Sequence, residues 1–210
     1  MMDFRESLTY FFTTFISLFI IMDPIGNLPF FLMFTENYSR EDQIKTAVTA
    51  SLSAGIILLV FIIGGDAVLN FFHVSIPAFQ IAGGFIFFLY ALQMLHILPS
   101  SIKTSSKEEE DSLGKTHVAL VPIGTPLLAG PGAITAVLVW RHSYGDAIYG
   151  WLLVLAVLLV CVITTVTFVF GNVLRKLLGL SGIGVISRIM GLLLAVLAVQ
   201  FMVNGFLALQ

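Results

Sequence analysis

Asp23 is the acidic side chain that stands deepest inside an apolar run, and the chain around it reads Asp23-Pro24-Ile25-Gly26-Asn27-Leu28-Pro29. A carboxylate at such a depth in hydrocarbon costs roughly 2.5 to 3.5 kcal/mol on insertion scales unless it is paired or wet. Two chemistries justify it: partnering a transported ammonium, or carrying a coupling proton. The two prolines remove backbone donors and clash with the preceding turn, while Gly26 tolerates strained backbone, so a helix entering this stretch must break. The second half of the chain repeats the pattern, with Pro122, Gly124 and Pro126 followed by Gly130-Pro131-Gly132.

A broken helix offers ligands at both of its ends. Free N–H groups and the positive dipole end of the following half-helix attract an anion such as a carboxylate. Free carbonyls closing the preceding half-helix attract a cation or an ammonium. A small zwitterion satisfies both, although water or an ion could occupy the same groups. Asn27, Thr125 and Thr135 add side-chain hydrogen bonds at the same level. The candidate binding residues are therefore Asp23, Gly26, Asn27, Thr125, Gly130, Pro131, Gly132 and Thr135. A plainer role for Asp23 is a helix N-cap, because Asp followed by Pro is a strong helix-start signal.

Whether such breaks lie in a membrane is a matter of composition. Of 210 residues, 58% are hydrophobic and only 10% charged, with a mean hydropathy of +1.02. A water-soluble domain carries roughly a quarter charged residues, so lipid is the expected solvent. No basic patch exists for nucleic acid. The single cysteine, Cys161, sits in an apolar run and reads as packing filler. The N-terminal apolar run ends at Asp23-Pro24 without a small-residue cleavage pattern, so it reads as an uncleaved first span.

Six stretches are long enough to cross a bilayer, given that about 20 apolar residues are needed. They run over 8–35, 46–65, 76–98, 117–140, 147–174 and 189–209, with breaks expected in the first and fourth. The loop between the third and fourth carries Ser105, Ser106 and the acidic run Glu108 to Asp111. Lys and Arg fall unevenly about six spans. Arg5 and Arg141 lie on one side, while Arg40, Lys45, Lys103, Lys107, Lys115, Arg175, Lys176 and Arg188 lie on the other. The positive-inside bias then places both termini on the non-cytoplasmic side of a plasma (inner) membrane. Trp140, Tyr144, Tyr149 and Trp151 bracket the fourth-to-fifth loop as an interfacial belt would.

A shift of 106 to 108 residues lays the second half over the first. Pro24 then falls on Pro131, Phe61 on Phe168, Gly64 on Gly171, Ser75 on Ser181, Gly83 on Gly191 and Met94 on Met202. Three spans per half is an odd number, so duplicated halves must sit upside down relative to each other, as in secondary transporters. The expected architecture is an all-α membrane protein of six helices in two inverted three-helix repeats, with helices 1 and 4 broken near the midplane. Residues 1–99 form the first repeat, 100–116 a cytoplasmic linker and 117–210 the second repeat.

Other polar residues have structural explanations. Gln93, His96, Gln200 and Asn204 lie near span ends, where headgroup water or helix–helix hydrogen bonds satisfy them. His73, His96, His117 and His142 show no ligand spacing, so no metal and no cofactor is expected. Ala47, Ser51 and Gly55 make a small-residue stripe suited to close helix packing. The chain has no serine elbow, Cys/His pair, paired carboxylates or phosphate-binding glycine loop, and an enzyme is not expected.

Three motifs resemble those of the MarC family of integral membrane proteins: Met22-Asp23-Pro24-Ile25-Gly26-Asn27-Leu28-Pro29-Phe30-Phe31, Pro126-Leu127-Leu128-Ala129-Gly130-Pro131-Gly132-Ala133-Ile134, and Arg188-Ile189-Met190-Gly191-Leu192-Leu193. The resemblance covers essentially the whole chain. It implies a carrier of small neutral amino acids such as glycine and alanine, with Asp23, Asn27, Gly130, Pro131 and Thr135 at its site. The function expected is a secondary transporter of that class working by alternating access, with a proton or sodium ion as coupling partner. The alternatives are a channel for small solutes or ions, and a membrane accessory protein that transports nothing.

Overall fold

The computed structural model describes residues 4–71, 73–98, 128–143 and 147–209. The expected linker 100–116, Thr125 and the prolines at 122 and 126 lie outside these described residues. Among the described residues the chain is all helix: α1 (Phe4–Met22), α2 (Leu28–Phe34), α3 (Arg40–Phe71), α4 (Ile76–Met94), α5 (Pro131–Ser143), α6 (Ala147–Val169) and α7 (Gly171–Leu207).

Among the described residues, four stretches are long and apolar enough to cross a membrane: Arg40–Gly65, Ile76–Met94, Ile148–Val169 and Ser181–Leu207. Their outward faces are hydrocarbon. On α3, Val48, Leu52, Ile56, Val60 and Ile63 are exposed, while Ala47, Ala50, Ala54 and Leu58 on the opposite face are buried. Polar side chains turn inward, among them Thr14, Ser17, Asp23, Asn27, Ser51, Thr135 and Thr164. Thr164 and Thr167 of α6 donate their hydroxyls to Val160 and Ile163 carbonyls at 2.8 Å, so they leave no donor unpaired in lipid.

The expected span boundaries shift in two places. α3 continues past Gly65 to Phe71, which places Asp66 inside a helix rather than in a loop. The last span begins earlier than Ile189, because Gly179 adopts φ +66, ψ 171 and turns the chain within α7. That left-handed conformation is available to glycine without a Cβ clash. The short segment before it carries Arg175 and Lys176, and the apolar span follows from Ser181.

Helices from before residue 100 pack chiefly on helices from after it. α4 lies along α7; α3 and α1 lie along α6; α5 fits against α4, α3 and α1. Glycines set the α4–α7 approach. A Cβ on Gly84 would stand 2.8 Å from the Ala198 carbonyl oxygen, one on Gly205 2.8 Å from the Pro77 carbonyl oxygen, and one on Gly191 2.8 Å from Met94 Cβ. These contacts run in opposite directions along the two helices, so α4 and α7 are antiparallel. A Cβ on Gly55 would stand 3.1 Å from Cys161 Sγ, in keeping with the small-residue stripe of α3 as a packing surface.

Candidate functional site

The first segment breaks where its prolines and glycine require. α1 ends at Met22 and α2 begins at Leu28. Asp23 takes φ 40, a left-handed conformation that Asp tolerates better than most residues. Its Oδ1 accepts a hydrogen bond from Gly26 N at 3.0 Å, and its carbonyl accepts from Asn27 N at 3.0 Å. The N-cap role expected from Asp-Pro does not hold: α2 starts five residues later, with Asn27 at the cap position. The carboxylate closes a tight turn after α1 instead.

Asp23 is 1% exposed, and its second oxygen, Oδ2, is buried without a hydrogen-bond partner. Gly26 is obligatory beside it, since a Cβ there would overlap that oxygen and lie 3.0 Å from Met94 Cε. Asn27, also 1% exposed, spans the break. Its Nδ2 donates to the Met22 carbonyl at 2.9 Å, and its Oδ1 accepts from the Tyr90 hydroxyl at 3.0 Å. Both ends of the amide are therefore committed to holding the break in shape.

On the second-half side, residues 128–130 are irregular and α5 starts at Pro131. Gly130 is its cap, the Gly130 carbonyl accepting from Ile134 N at 3.1 Å. Proline suits the first helical position, where no N–H partner is needed. A Cβ on Gly132 would overlap the Phe87 ring, and Thr135 occupies the space beside Gly83.

Four of the candidates thus meet on one helix. Gly83, Phe87, Tyr90 and Met94 of α4 contact Thr135, Gly132, Asn27 and Gly26 respectively. Spacings of 4, 3 and 4 residues put all four on a single face of α4. At a rise of 1.5 Å per residue, the level of Gly132 and that of Asn27 differ by only about 4.5 Å along the helix axis. Sequence reasoning missed Tyr90 and Phe87. Tyr90 left a usable trace, a hydroxyl within the third span seven residues after Gly83.

Two clefts lie near opposite ends of α3. One, of about 430 Å³, is lined by Leu69, Asn70, Val74, Ser75, Ile76 and His142. The other, of about 220 Å³, is lined by Pro29, Leu32, Met33, Glu36, Arg175 and Ile183.

Helices with hydrocarbon outer faces, inward polar residues and a break at a buried carboxylate define an integral multi-pass membrane protein. Residues 8–209 match the profile described as MarC family integral membrane protein, and the chain belongs to that family. It is 36% identical over 204 residues to a UPF0056 membrane protein of Archaeoglobus fulgidus, covering 97% of this chain and 95% of the relative. It is 37% identical over 196 residues to one of Aquifex aeolicus, covering 93% and 91%. The UPF0056 membrane protein YhcE of Escherichia coli is 35% identical over 195 residues, with coverage of 93% and 91%. No solved structure matches the chain.

Proposed function

We propose that this protein is a secondary transporter of small neutral amino acids of the glycine and alanine class, working by alternating access. The observation that carries this function is Asp23 Oδ2: a carboxylate oxygen buried at a helix break with no hydrogen-bond partner. In a membrane such a group is retained for a ligand or a proton rather than for stability. In the proposal Asp23 receives the substrate ammonium or a coupling proton, with sodium as the other coupling candidate. The first turn of α5, at Gly130, Pro131 and Gly132, receives the carboxylate through the N–H groups that follow Pro131, which itself has none. Along α4 the level of Gly132 lies about 4.5 Å from that of Asn27 and about 10.5 Å from that of Gly26, the neighbour of Asp23 Oδ2.

Two inverted halves, 1–99 and 117–210 joined by the linker 100–116, give this site its alternating access. The packing supports the inversion. Exchanging the halves turns the α2–α6 contact into α5–α3 and the α4–α5 contact into α7–α2, and all four pairs are present. The clefts support it too. Subtracting 107 to 108 from positions 175, 183 and 142 gives 67–68, 75–76 and 34–35, which fall within or next to the stretches lining the opposite cleft. In this scheme the clefts are the two mouths of one path, and both chain termini lie outside the cytoplasm. The scheme requires no enzyme chemistry and no cofactor.

The test is counterflow of labelled glycine and alanine into liposomes preloaded with unlabelled amino acid. Accumulation that disappears in Asp23→Asn while the variant stays folded supports a carrier with its site at the break. Absence of counterflow from folded wild-type protein removes the proposed substrate.

A further inference from the structure

We infer that Phe87 is the residue that limits the size of the substrate side chain, an inference that rests on the transporter reading above. The ring is 3% exposed and lies directly on Gly132, the second residue of α5, where it fills the place a Cβ would take. Phe201 of α7 backs it in an edge-to-face contact, with centroids 5.7 Å apart and planes at 87°. The ring is therefore held between the start of α5 and the partner helix α7, and cannot swing away without displacing one of them.

Its position decides what it would do there. A carboxylate bound by the first turn of α5 has its α-carbon within reach of that turn, and any side chain must extend past the nearest walls. The wall against Gly132 is hydrocarbon, the Phe87 ring of α4, and Leu128 and Ala129 immediately before α5 are buried at 0% and 1% exposed. Three residues further along the same face of α4, Tyr90 holds Asn27 at 3.0 Å and so fixes the opposite side of the space. In the proposal a fixed ring on one side and a clamped break on the other admit little beyond hydrogen or methyl. No ionised group of α4 faces this level, in keeping with a neutral side chain.

The experiment is competition by unlabelled glycine, alanine, valine and leucine against labelled glycine counterflow, for wild type, Phe87→Leu and Phe87→Ala in liposomes. Truncating the ring should improve valine and leucine relative to glycine by about tenfold or more in Phe87→Ala, since one methylene in an apolar pocket is worth roughly 10- to 200-fold. Phe87→Leu, which keeps most of the packing against Phe201, should lie between and guards against loss of folding in the smaller variant. Variants that carry glycine normally and keep the wild-type order of preference would overturn the role of Phe87. Wild-type protein that carries none of the four amino acids would overturn the transporter reading itself, an outcome read without any variant.

Discussion

The hydrogen bond from Tyr90 to Asn27 joins residues 63 positions apart and is, among the described residues, a polar side-chain link between α4 and the first break. Removing the hydroxyl in Tyr90→Phe leaves Asn27 Oδ1 buried without its donor, a loss of about 1 to 3 kcal/mol by the usual cost of a stranded acceptor. Membrane proteins temper that figure, because polar groups find other partners in the unfolded, lipid-embedded chain. Pairwise couplings there average about 0.6 and reach about 1.7 kcal/mol. A double-mutant cycle of Tyr90→Phe with Asn27→Leu should therefore give a coupling of about 0.6 to 1.7 kcal/mol, equivalent to about 3- to 18-fold in the folding equilibrium. The measurement is reversible unfolding of the four proteins in mixed micelles of rising denaturing-detergent fraction. Amide exchange at residues 23–28 should quicken in Tyr90→Phe, since the clamp on the break is lost. A coupling no larger than about 0.3 kcal/mol, with exchange unchanged, would refute the clamp.

Other perturbations separate packing from chemistry. Gly84→Ala places a Cβ 2.8 Å from a backbone carbonyl of α7 and should destabilise by about 1 to 3 kcal/mol. Gly64→Ala, with nothing within 4 Å, should stabilise by up to about 1 kcal/mol through helix propensity; thermal unfolding in detergent compares the two. Gly179→Ala must hold φ +66 and should cost about 1 to 2 kcal/mol in the same assay. Asp23→Asn keeps an oxygen for the Gly26 N–H and removes a buried charge, so its unfolding midpoint should equal or exceed that of wild type while counterflow is lost; a large fall in midpoint would make Asp23 a structural residue.

The membrane character, the helical class and the first break were all legible in the sequence, because each follows from local chemistry. Hydrocarbon faces need no partner to be recognised, and Pro24, Gly26 and Pro29 interrupt a helix whatever surrounds them. Family membership was legible for a similar reason, in three short motifs. The positions of helix ends were less so. Gly179 could have marked a turn, but only its φ of +66 shows that the last span starts there rather than at Ile189. The partners of Asn27 were not legible: its amide bonds the Met22 carbonyl and the Tyr90 hydroxyl and so holds the break.

What Tyr90 and Phe87 touch was decided by the tertiary structure. In a soluble helix the apolar stripe tells which face is inward, but in lipid both faces of α4 are apolar and hydropathy loses that information. What turns Gly83, Phe87, Tyr90 and Met94 toward the two breaks is the register of α4 on α7, set by Gly84, Gly191 and Gly205 meeting backbone and side chain across the pair. Sequence determined that the chain would carry a carboxylate at a broken helix inside a membrane; packing between residues a hundred positions apart decided what surrounds it.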